Sequence, residues 1–460
     1  MYREFENVNE MYPVVLNDLV NGGEVGRFGP IYLTIQPYIY KIGSLRQNLL
    51  ALPGIDHNIF WMLQEFEDRI ELRDPGYAWR FSKSYENRIT TSGKLEYAQF
   101  DSFLHHQEYL DRKLNQLDYI ILQLKKLKPR AVVGTVWDPM RELVLYTNRA
   151  LEYSEYNTYD YQRIPCTIAY TFTLSGNKAL HFNVFMRAND LDRINPADMF
   201  MFGMFQKYVL SRADPRLKLG TYHHFVSSMA VRSHGGSHFD LWRKRIDHWP
   251  RHRLNLNDYY PPLPESWEHI GNDWKLLLEL TDNLRTWKFH QALQKVEKLS
   301  DPFWKDWFYT LFIGEYILKL SKEHNLVRTK KIESLEKELF DAFPGQEDFL
   351  LNSILSCIQN EFQFHTAKQL CNFYARTQNW RLIEDLLERL PSRDLWPYVL
   401  IGSTKYLASK NRDFLLRHFH PHAHEMYQVF YVLTPEDEAK YTPQHVLQRR
   451  HTMQEVSSGE

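Results

Sequence analysis

A cysteine, an arginine and two carboxylates lie close together in the middle of the chain. Cys166 follows a proline, Arg187 and Asp190 come about twenty residues later, and Asp198 lies eight residues after Asp190. A guanidinium near a thiol favours the thiolate, which is the reactive form. Such a group suits nucleophilic attack on an electron-poor ring that is held by an anionic substituent. Taken alone, Cys166 is equally consistent with a small buried hydrophobe.

The flanking sequence predicts elements that bring these residues together. The stretch from Cys166 to Leu174 alternates as a strand does, turn residues follow it, and Ala179 to Met186 returns as the second strand of a hairpin. The stretch from Pro196 to Ser211 opens on a proline and is almost wholly apolar, which predicts a buried helix. Side chains at the ends of these consecutive elements can converge on one ligand.

The rest of the first half predicts a mixture of helices and strands. Helices are expected at Asn7 to Asn21, Ile55 to Phe66 and Asp101 to Leu127. A β-branched run at Ala131 to Trp137 predicts a buried strand, and Gly26 to Pro30 predicts a flexible loop.

The order and spacing of Cys166, Arg187, Asp190 and Asp198 resemble those of the thymidylate synthase and deoxycytidylate hydroxymethylase family. There the cysteine adds to C6 of a pyrimidine, an Arg-Ser-x-Asp segment binds phosphate and the pterin side of the site, and a later residue reads the pyrimidine edge. The resemblance covers roughly residues 5 to 255. It implies an α+β fold with a mixed sheet and packed helices, and 5,10-methylenetetrahydrofolate as the one-carbon donor.

The same resemblance implies further ligands for the nucleotide. Arg27 matches a mobile phosphate-binding arginine, and Arg130 matches one of two arginines that the family lends across a dimer interface, which implies a homodimer. Pro129 stands where the second of that pair would be. His223 matches a histidine that contacts the sugar hydroxyl, although Phe225 replaces the tyrosine that accompanies it. Arg27 and Arg130 are equally consistent with solvated surface arginines.

Asp198 indicates which base is read. Family members that act on uracil carry an asparagine there, whereas the deoxycytidylate hydroxymethylases carry an aspartate that accepts from the 4-amino group. An acceptor opposite O4 of uracil would leave buried lone pairs opposed, so the resemblance implies a preference for cytosine. The alternative is an aspartate in the first turn of a helix, where the helix dipole favours it.

Asn58 is the main departure from the family pattern. It aligns with a glutamate that relays protons, and an asparagine has no proton to give or take in that role. Either a neighbour such as Asp56, His57 or Glu86 takes over, or the reaction differs, or catalysis is lost. Tyr85 matches a family tyrosine segment, and Glu86 beside it is the first substitute.

Bulk properties restrict the class of protein. The chain of 460 residues has a net charge of −1, so no global charge favours nucleic acid or a membrane. Three cysteines are too few for a disulfide framework, which fits a reducing cytoplasm. The N-terminus lacks the apolar stretch of a signal peptide, and no apolar run approaches the roughly 18 residues that cross a bilayer. We therefore expect a cytoplasmic protein that does not enter membranes.

The domain organisation follows from a proline- and tyrosine-rich passage. We expect a nucleotide-binding domain at 1–255, a linker at 256–272, an all-α helical domain at 273–450 and a frayed tail at 451–460. Alternating histidines between 418 and 424 are more typical of a solvated loop than of a metal site, and no metal is expected.

Two functions remain open. The first is folate-dependent transfer of a hydroxymethyl or methyl group to C5 of a pyrimidine nucleoside monophosphate. The second is a nucleotide-binding protein that has kept the pocket and lost turnover, with the helical domain as a surface for a protein partner.

Overall fold

The chain forms two compact units. Unit 1 comprises Met1–Ala51, His57–His238 and Pro264–Glu268, and unit 2 comprises Leu52–Asp56, Phe239–Leu263 and His269–Glu460. The computed structural model describes residues 1–27, 31–46, 48–50, 52, 59–71, 77–78, 106–109, 112–126, 131–137, 166–176, 178–192, 194–214, 216–233, 242–243, 246, 267–285, 295–296, 298–299, 304–306, 308–309, 364–376, 380–390 and 396–400.

The described strands and helices of unit 1 alternate along the chain. The strands are β1 (Tyr2–Phe5), β2 (Glu24–Arg27), β3 (Ile31–Ile35), β4 (Tyr38–Ile42), β5 (His106–Tyr109), β6 (Arg112–Asn115), β7 (Val132–Thr135), β8 (Thr167–Leu174), β9 (Ala179–Met186), β10 (Asn189–Asp190), β11 (Lys218–Val226) and β12 (Met229–Ser233). The helices are α1 (Val8–Gly22), α2 (Ile59–Ile70), α3 (Gln116–Lys125) and α4 (Asn195–Ala213).

Two mixed sheets organise unit 1. The larger has six strands in the order β1-β4-β11-β9-β8-β7, and the smaller has four in the order β10-β12-β3-β2. In the larger sheet β11 runs parallel to β9 and antiparallel to β4, and in the smaller sheet β10 runs parallel to β12. Mixed sheets with packed helices are the α+β architecture that the sequence predicts.

Three short connections in the described part of the chain lead directly from a strand of one sheet to a strand of the other. The strand pair β3–β4 crosses at the cis peptide Gln36-Pro37, β9–β10 crosses at residues 187–188, and β11–β12 crosses at residues 227–228. A hydrogen bond of 3.2 Å from the Gln36 side chain to the Ser228 hydroxyl links two of these crossings. The crossings therefore lie side by side.

An aromatic core fills the space between the larger sheet and α4. Tyr170, Phe172 and Phe182 point from β8 and β9 towards Phe205 of α4, with ring centroids 5.2 to 5.7 Å from that of Phe205. These side chains are fully buried. Their burial explains why α4 is apolar around its whole circumference, as the sequence predicts.

Several predicted elements are confirmed. The hairpin of β8 and β9 and the helix α4 lie where the sequence places them. Strand β7 lies within the predicted run, but it is an edge strand with Val133 exposed and is not buried as the sequence predicts. The predicted first helix is α1, with the Asn7 side chain accepting from the backbone N–H of Glu10 at its start and Gly23 at its end. The predicted second helix is present from Ile59 onwards.

Two predictions about local structure are wrong. The single helix expected from Asp101 to Leu127 is a β-hairpin (β5 and β6) followed by α3, because the Asn115 side chain accepts from two backbone N–H groups and starts the helix there. Arg27 ends a strand instead of lying in a flexible loop, because β2 pairs with β3 up to Arg27 and Ile31.

The described elements of unit 2 are helical. They are α5 (Trp267–Arg285, which begins in unit 1), α6 (Phe364–Arg376), α7 (Trp380–Glu388) and α8 (Trp396–Leu400). Trp274 and Trp304 are buried with ring centroids 6.1 Å apart, and Thr366 at the start of α6 bonds to Asp306 through both its backbone N–H and its hydroxyl. No helix in the described part of either unit is long and apolar enough to cross a membrane. The linker and the tail expected at 256–272 and 451–460 lie largely or wholly outside the described residues, and those domain limits stay predictions.

Candidate functional site

The candidate site lies where the strands change sheets. Cys166 immediately precedes β8, and its carbonyl oxygen accepts a hydrogen bond of 2.9 Å from the backbone N–H of Arg187. Arg187 is exposed at the crossing between β9 and β10, and Asp190 ends β10. Asp198 lies in the first turn of α4. Four residues that are separated by up to 32 positions in the sequence are therefore neighbours in space.

The Cys166 thiol is influenced by the other three residues of this group. Burial raises its pKa above the ordinary value of 9.0, the charge of Arg187 lowers it, and the carboxylates of Asp198 and Asp190 raise it. Burial is the largest of these influences, so the net shift is upward. The guanidinium does favour the thiolate, as the sequence predicts, but burial of the thiol outweighs its influence. The thiol is protonated at neutral pH because burial and the two carboxylates outweigh one cation.

Asp198 is a buried carboxyl whose pKa lies near neutral pH. Burial raises its pKa from 3.8 to about 7, while the charge of Arg69 and a hydrogen bond from Asn189 lower it. Its side-chain Oδ2 accepts from Nδ2 of Asn189 at 3.0 Å. Within the described part of the chain, its Oδ1 has no hydrogen-bond partner. A carboxyl in this state is available to a ligand as an acceptor or as a donor.

Arg69 reaches the site from α2. Its Nε and Nη2 both donate to one oxygen of Glu65, at 3.1 and 2.8 Å, and both side chains are buried. Its charge acts on Asp198, so α2 contributes a cation to the floor of the site. Sequence alone does not select this arginine, because a helix pattern does not reveal which of its charged residues is buried.

A second buried polar group lies under the site. Tyr40 stacks on His224, with ring centroids 4.7 Å apart, and its hydroxyl accepts from Nδ2 of Asn195 at 3.0 Å. Nδ1 of His224 forms a 2.6 Å hydrogen bond with the hydroxyl of Tyr222. Burial lowers the pKa of His224 to about 3, so its ring is neutral at physiological pH. Asn195 and His224 were not expected from the sequence to serve the site.

Asp190 faces the other side of β10 from this buried group. Its Oδ1 accepts from the backbone N–H of Asp192 at 3.2 Å, and its Oδ2 lies 3.9 Å from Nε of Arg232. The Asp190 side chain is 17% exposed, and Arg232 also lies over the ring of Tyr32, 5.0 Å from its centroid. The carboxylate is therefore held in place and still accessible.

His223 lies on the open face of the larger sheet. Its Nδ1 is 2.9 Å from Oδ1 of Asn183 on the neighbouring strand, and Lys41 is its partner on β4. Burial is the largest influence on its pKa, which is lowered, and Lys41 lowers it further. The structure does not bring His223 into the group of charges that acts on Cys166.

Other residues selected from the sequence lie outside the described residues. These are Asn58, Tyr85, Glu86 and Arg130, together with the side chain of Arg27 and the histidines between 418 and 424. Of the cysteines, Cys166 is partly exposed, Cys371 is buried, and both are free thiols. In the part of the chain that the structure describes, no three residues among His, Cys, Asp and Glu come together in a way that could hold a metal ion.

Comparisons with known proteins find similarity to solved structures alone. No family model matches the chain, and no curated protein matches it. The chain is similar in structure to the thermostable thymidylate synthase A from Bacillus subtilis, at 15% sequence identity and a TM-score of 0.40, over 52% of this chain and 84% of that one. At this identity and TM-score the likeness is too weak to carry a functional assignment.

Proposed function

We propose that unit 1 binds a pyrimidine nucleoside monophosphate and transfers a hydroxymethyl or methyl group to C5 of its base, with cytosine preferred. The observation that supports this most is the electrostatic contact of Cys166 with Arg187, Asp190 and Asp198. A nucleophile, an exposed cation and a buried base-reading carboxyl then surround one ligand. The residue pattern that resembles the thymidylate synthase and deoxycytidylate hydroxymethylase family supplies the reaction class.

Arg187 binds the phosphate in this function. It is exposed at the crossing of β9 and β10, where its backbone is fixed by the bond to Cys166. A guanidinium can bind a phosphate through two parallel hydrogen bonds. Arg27 and Arg130 are proposed as further phosphate ligands on the strength of the sequence alone, and His223 as a ligand of the sugar.

Asp198 reads the base. In its ionised form Oδ1 accepts from the 4-amino group of cytosine, whereas O4 of uracil would face it lone pair to lone pair. A buried polar group that lacks its partner costs about 1–3 kcal/mol, so cytosine should be preferred by roughly tenfold or more when Asp198 is ionised.

Asp190 suits the pterin side of a bound folate. Its carboxylate is fixed by Asp192 and flanked by Arg232, and it remains partly exposed, so it can accept from ring N–H groups. Bound 5,10-methylenetetrahydrofolate would supply the one-carbon unit. This assignment rests on the sequence resemblance and on the accessibility of Asp190.

Turnover requires that the Cys166 thiol lose its proton when substrate is bound. Addition of its sulfur to C6 makes C5 nucleophilic. After C5 has taken up the one-carbon unit, the C5 proton must leave to a base, and the bond between sulfur and C6 must break to restore the ring and the thiolate. Asn58 cannot serve as that base. Tyr85 and Glu86 are the proposed substitutes, with Glu86 as the proton acceptor.

A direct assay tests the reaction. Purified protein is incubated with dCMP, CMP or dUMP and methylenetetrahydrofolate, and the products are examined for a methyl or hydroxymethyl group at C5. Release of tritium from C5 is measured in parallel, with Cys166→Ser as the matched control. No modified product and no release of tritium from any nucleotide would falsify the transferase function.

The raised pKa of Cys166, together with Asn58, favours a second candidate. A protein that retains the pocket without turnover would bind a pyrimidine monophosphate and keep that affinity in Cys166→Ser. Calorimetry measures the affinity. Mass spectrometry of the protein after incubation with 5-fluoro-dCMP and folate separates the two candidates, since a covalent ternary adduct requires a reactive thiol. In the second candidate the helices of unit 2 provide the surface for a protein partner.

The proposed assembly is a homodimer. The open face of the larger sheet carries Phe185 and Phe225, which stack with centroids 4.8 Å apart and are partly exposed. Cross-strand bonds join His223 to Asn183 and Asn183 to Thr171 on the same face. A face that combines stacked aromatic rings with ordered polar pairs suits contact with a second copy of itself.

A further inference from the structure

We propose that Asn189 is a positioning residue that decides which oxygen of Asp198 can carry a proton, so that the site reads cytosine when Asp198 is ionised and uracil when it is protonated. This inference rests on the proposed function, because it concerns the base that the same pocket accepts. It adds a residue that neither the spacing of the sequence nor the family pattern selects.

The position of Asn189 is fixed by its backbone. Its N–H donates to the carbonyl of Ser228 at 3.0 Å, and its neighbour Leu191 donates to Ala230 at 2.8 Å, so β10 is tied to β12 at both ends. The Asn189 side chain is buried, with 3% of the residue exposed. Such a side chain has little freedom to choose another orientation.

The orientation of its amide is determined by what surrounds it. Nδ2 of Asn189 lies 3.0 Å from Oδ2 of Asp198 and 3.2 Å from Sδ of Met186, and both of those atoms are acceptors. Its Oδ1 is buried and has no partner within the described part of the chain. The amide thus presents its donor to Asp198 and leaves an acceptor unpaired, which is the arrangement expected if the bond to Asp198 matters most.

This bond directs the proton to one oxygen. An amide N–H can only donate, so Oδ2 of Asp198 must remain an acceptor whether or not the carboxyl is charged. The carbonyl oxygen of a protonated carboxyl is a better acceptor than its hydroxyl oxygen, so a proton taken up by Asp198 is favoured on Oδ1, the oxygen that is left for a ligand. Ionised, Oδ1 accepts from the 4-amino group of cytosine. Protonated, Oδ1 donates to O4 of uracil, and no other bond is formed or broken.

The described groups whose charges act directly on Asp198 do not change charge in the same pH range. The ionisable groups that interact with Asp198 are Arg69 of α2, Tyr40 of β4, Tyr222 of β11 and Cys166 before β8. Burial raises the pKa of both tyrosines and of the thiol, so all three are neutral near pH 7, and the arginine stays charged.

Two further groups need to be considered near the site. Burial lowers the pKa of His224 to about 3, so its ring is neutral over the same range. Burial raises the pKa of Asp68, on α2 beside Arg69, to about 6, so it titrates close to Asp198. Asp68 accepts from the backbone N–H of Ala78 and so holds the chain after α2 in place. Because Asp68 titrates in nearly the same pH range as Asp198, a matched control variant must remove its carboxyl.

The first part of the test follows the carboxyl itself. The full chain is labelled with ¹³C at aspartate carboxyls, the Asp198 resonance is assigned by its loss in Asp198→Asn, and its shift is followed with pH. We expect a midpoint near 7 in the wild type and a midpoint higher by roughly one unit in Asn189→Leu, since a donor to the ionised form is lost. Asn189→Ser is the second variant, should leucine prevent folding. Asp68→Asn should leave the midpoint in place.

The second part measures base preference. Affinities for CMP and UMP are determined by calorimetry at about pH 5.5 and about pH 8.5, on either side of the Asp198 pKa of about 7. The ratio of CMP affinity to UMP affinity should rise by roughly tenfold between them in the wild type. In Asn189→Leu the rise should move to higher pH with the carboxyl midpoint.

Each outcome has a distinct meaning. An unchanged Asp198 midpoint in Asn189→Leu overturns the role of Asn189. A wild-type ratio that is equal at both pH values, while Asp198 titrates, overturns the reading of the base. If neither nucleotide binds at any pH, the proposed function fails together with the base reading, and the carboxyl titration then decides whether Asn189 governs Asp198.

Discussion

The backbone N–H of Arg187 donates to the carbonyl oxygen of Cys166 across 2.9 Å. The backbones of the proposed phosphate ligand and of the proposed nucleophile are thus joined, which fixes the points from which the two side chains start. A ligand held by the guanidinium is therefore kept near the thiol.

Replacement of Arg187 should weaken binding of the phosphate and leave binding of the base unchanged. In Arg187→Gln we expect affinity for a pyrimidine monophosphate to fall by about 10- to 100-fold, which corresponds to the loss of one charge-assisted hydrogen bond. Affinity for the corresponding nucleoside should not change. Calorimetry with both ligands measures this. Arg212→Gln, at the exposed far end of α4, is the matched control and should bind both as the wild type does. Equal losses for nucleoside and monophosphate would contradict the assignment.

The reactivity of the Cys166 thiol should increase only at high pH. Because burial raises its pKa, the rate of alkylation by iodoacetamide should have its midpoint above the ordinary value of 9.0. The midpoint should rise further in Arg187→Gln, since the guanidinium is the influence that lowers the pKa. Peptide mapping by mass spectrometry follows Cys166 separately from the buried Cys371. Fast alkylation at neutral pH would show that the thiol is not protonated there.

The charge of Asp198 should reduce stability at high pH. Its pKa is raised from 3.8 to about 7 on folding, so its favourable contribution is complete below pH 3.8 and is lost as the pH rises through about 7. The wild type should therefore be less stable than Asp198→Asn at pH 8, by roughly 4 kcal/mol at most, and the difference should shrink as the pH is lowered. Urea unfolding of both proteins at several pH values measures it. A constant difference would mean that Asp198 does not titrate in the folded protein.

Exchange of the carboxyl for an amide should change the base that is preferred. In Asp198→Asn the side chain can both donate and accept at any pH, so we expect affinity to shift towards uracil nucleotides and to lose its pH dependence. Competition between CMP and UMP at about pH 8.5, above the pKa of Asp198, shows the shift most clearly. Unchanged preference would place Asp198 away from the ring.

The open face of the larger sheet should mediate dimerisation. Sedimentation is expected to give a homodimer of the 55.2 kDa chain. Phe185→Lys should give monomers, because it replaces one of the two stacked rings with a charge that the interface would bury. Leu122→Lys, which alters an exposed apolar residue of α3, should remain dimeric. Arg130→Ala should weaken nucleotide binding if that residue completes the partner's site. A wild-type monomer at micromolar concentration would refute the assembly.

The sequence predicts local elements well where the spacing of apolar residues and the composition of a segment indicate the same element. The hairpin of β8 and β9 and the apolar α4 follow from alternation and from a continuous apolar run. The two strands before α3 could not be predicted in this way, because they carry polar or charged residues at most positions and lack an apolar alternation. Asn115, a favourable first residue for a helix, was the available signal that α3 begins there.

The supporting residues of the site could not be predicted in the same way. Asn195 donates to Tyr40 from 155 positions away, and Arg69 acts on Asp198 from another helix. Nothing in a helix or strand pattern identifies which polar residue is buried and which acceptor it meets, since those contacts arise only when distant elements pack. The residues proposed to carry the chemistry were selected because their order along the chain resembles a family pattern.

Strand β10 is only two residues long, and it separates the two kinds of chemistry in the site. Side chains of successive strand residues point to opposite faces, so Asn189 turns inward to Asp198 while Asp190 turns outward to Arg232. An insertion or deletion of a single residue between Arg187 and Asn189 would exchange the faces of the strand to which these two side chains point. The proposed division between a base side and a pterin side thus depends on the number of residues in this segment, and substitutions here should be tolerated more readily than a change in length.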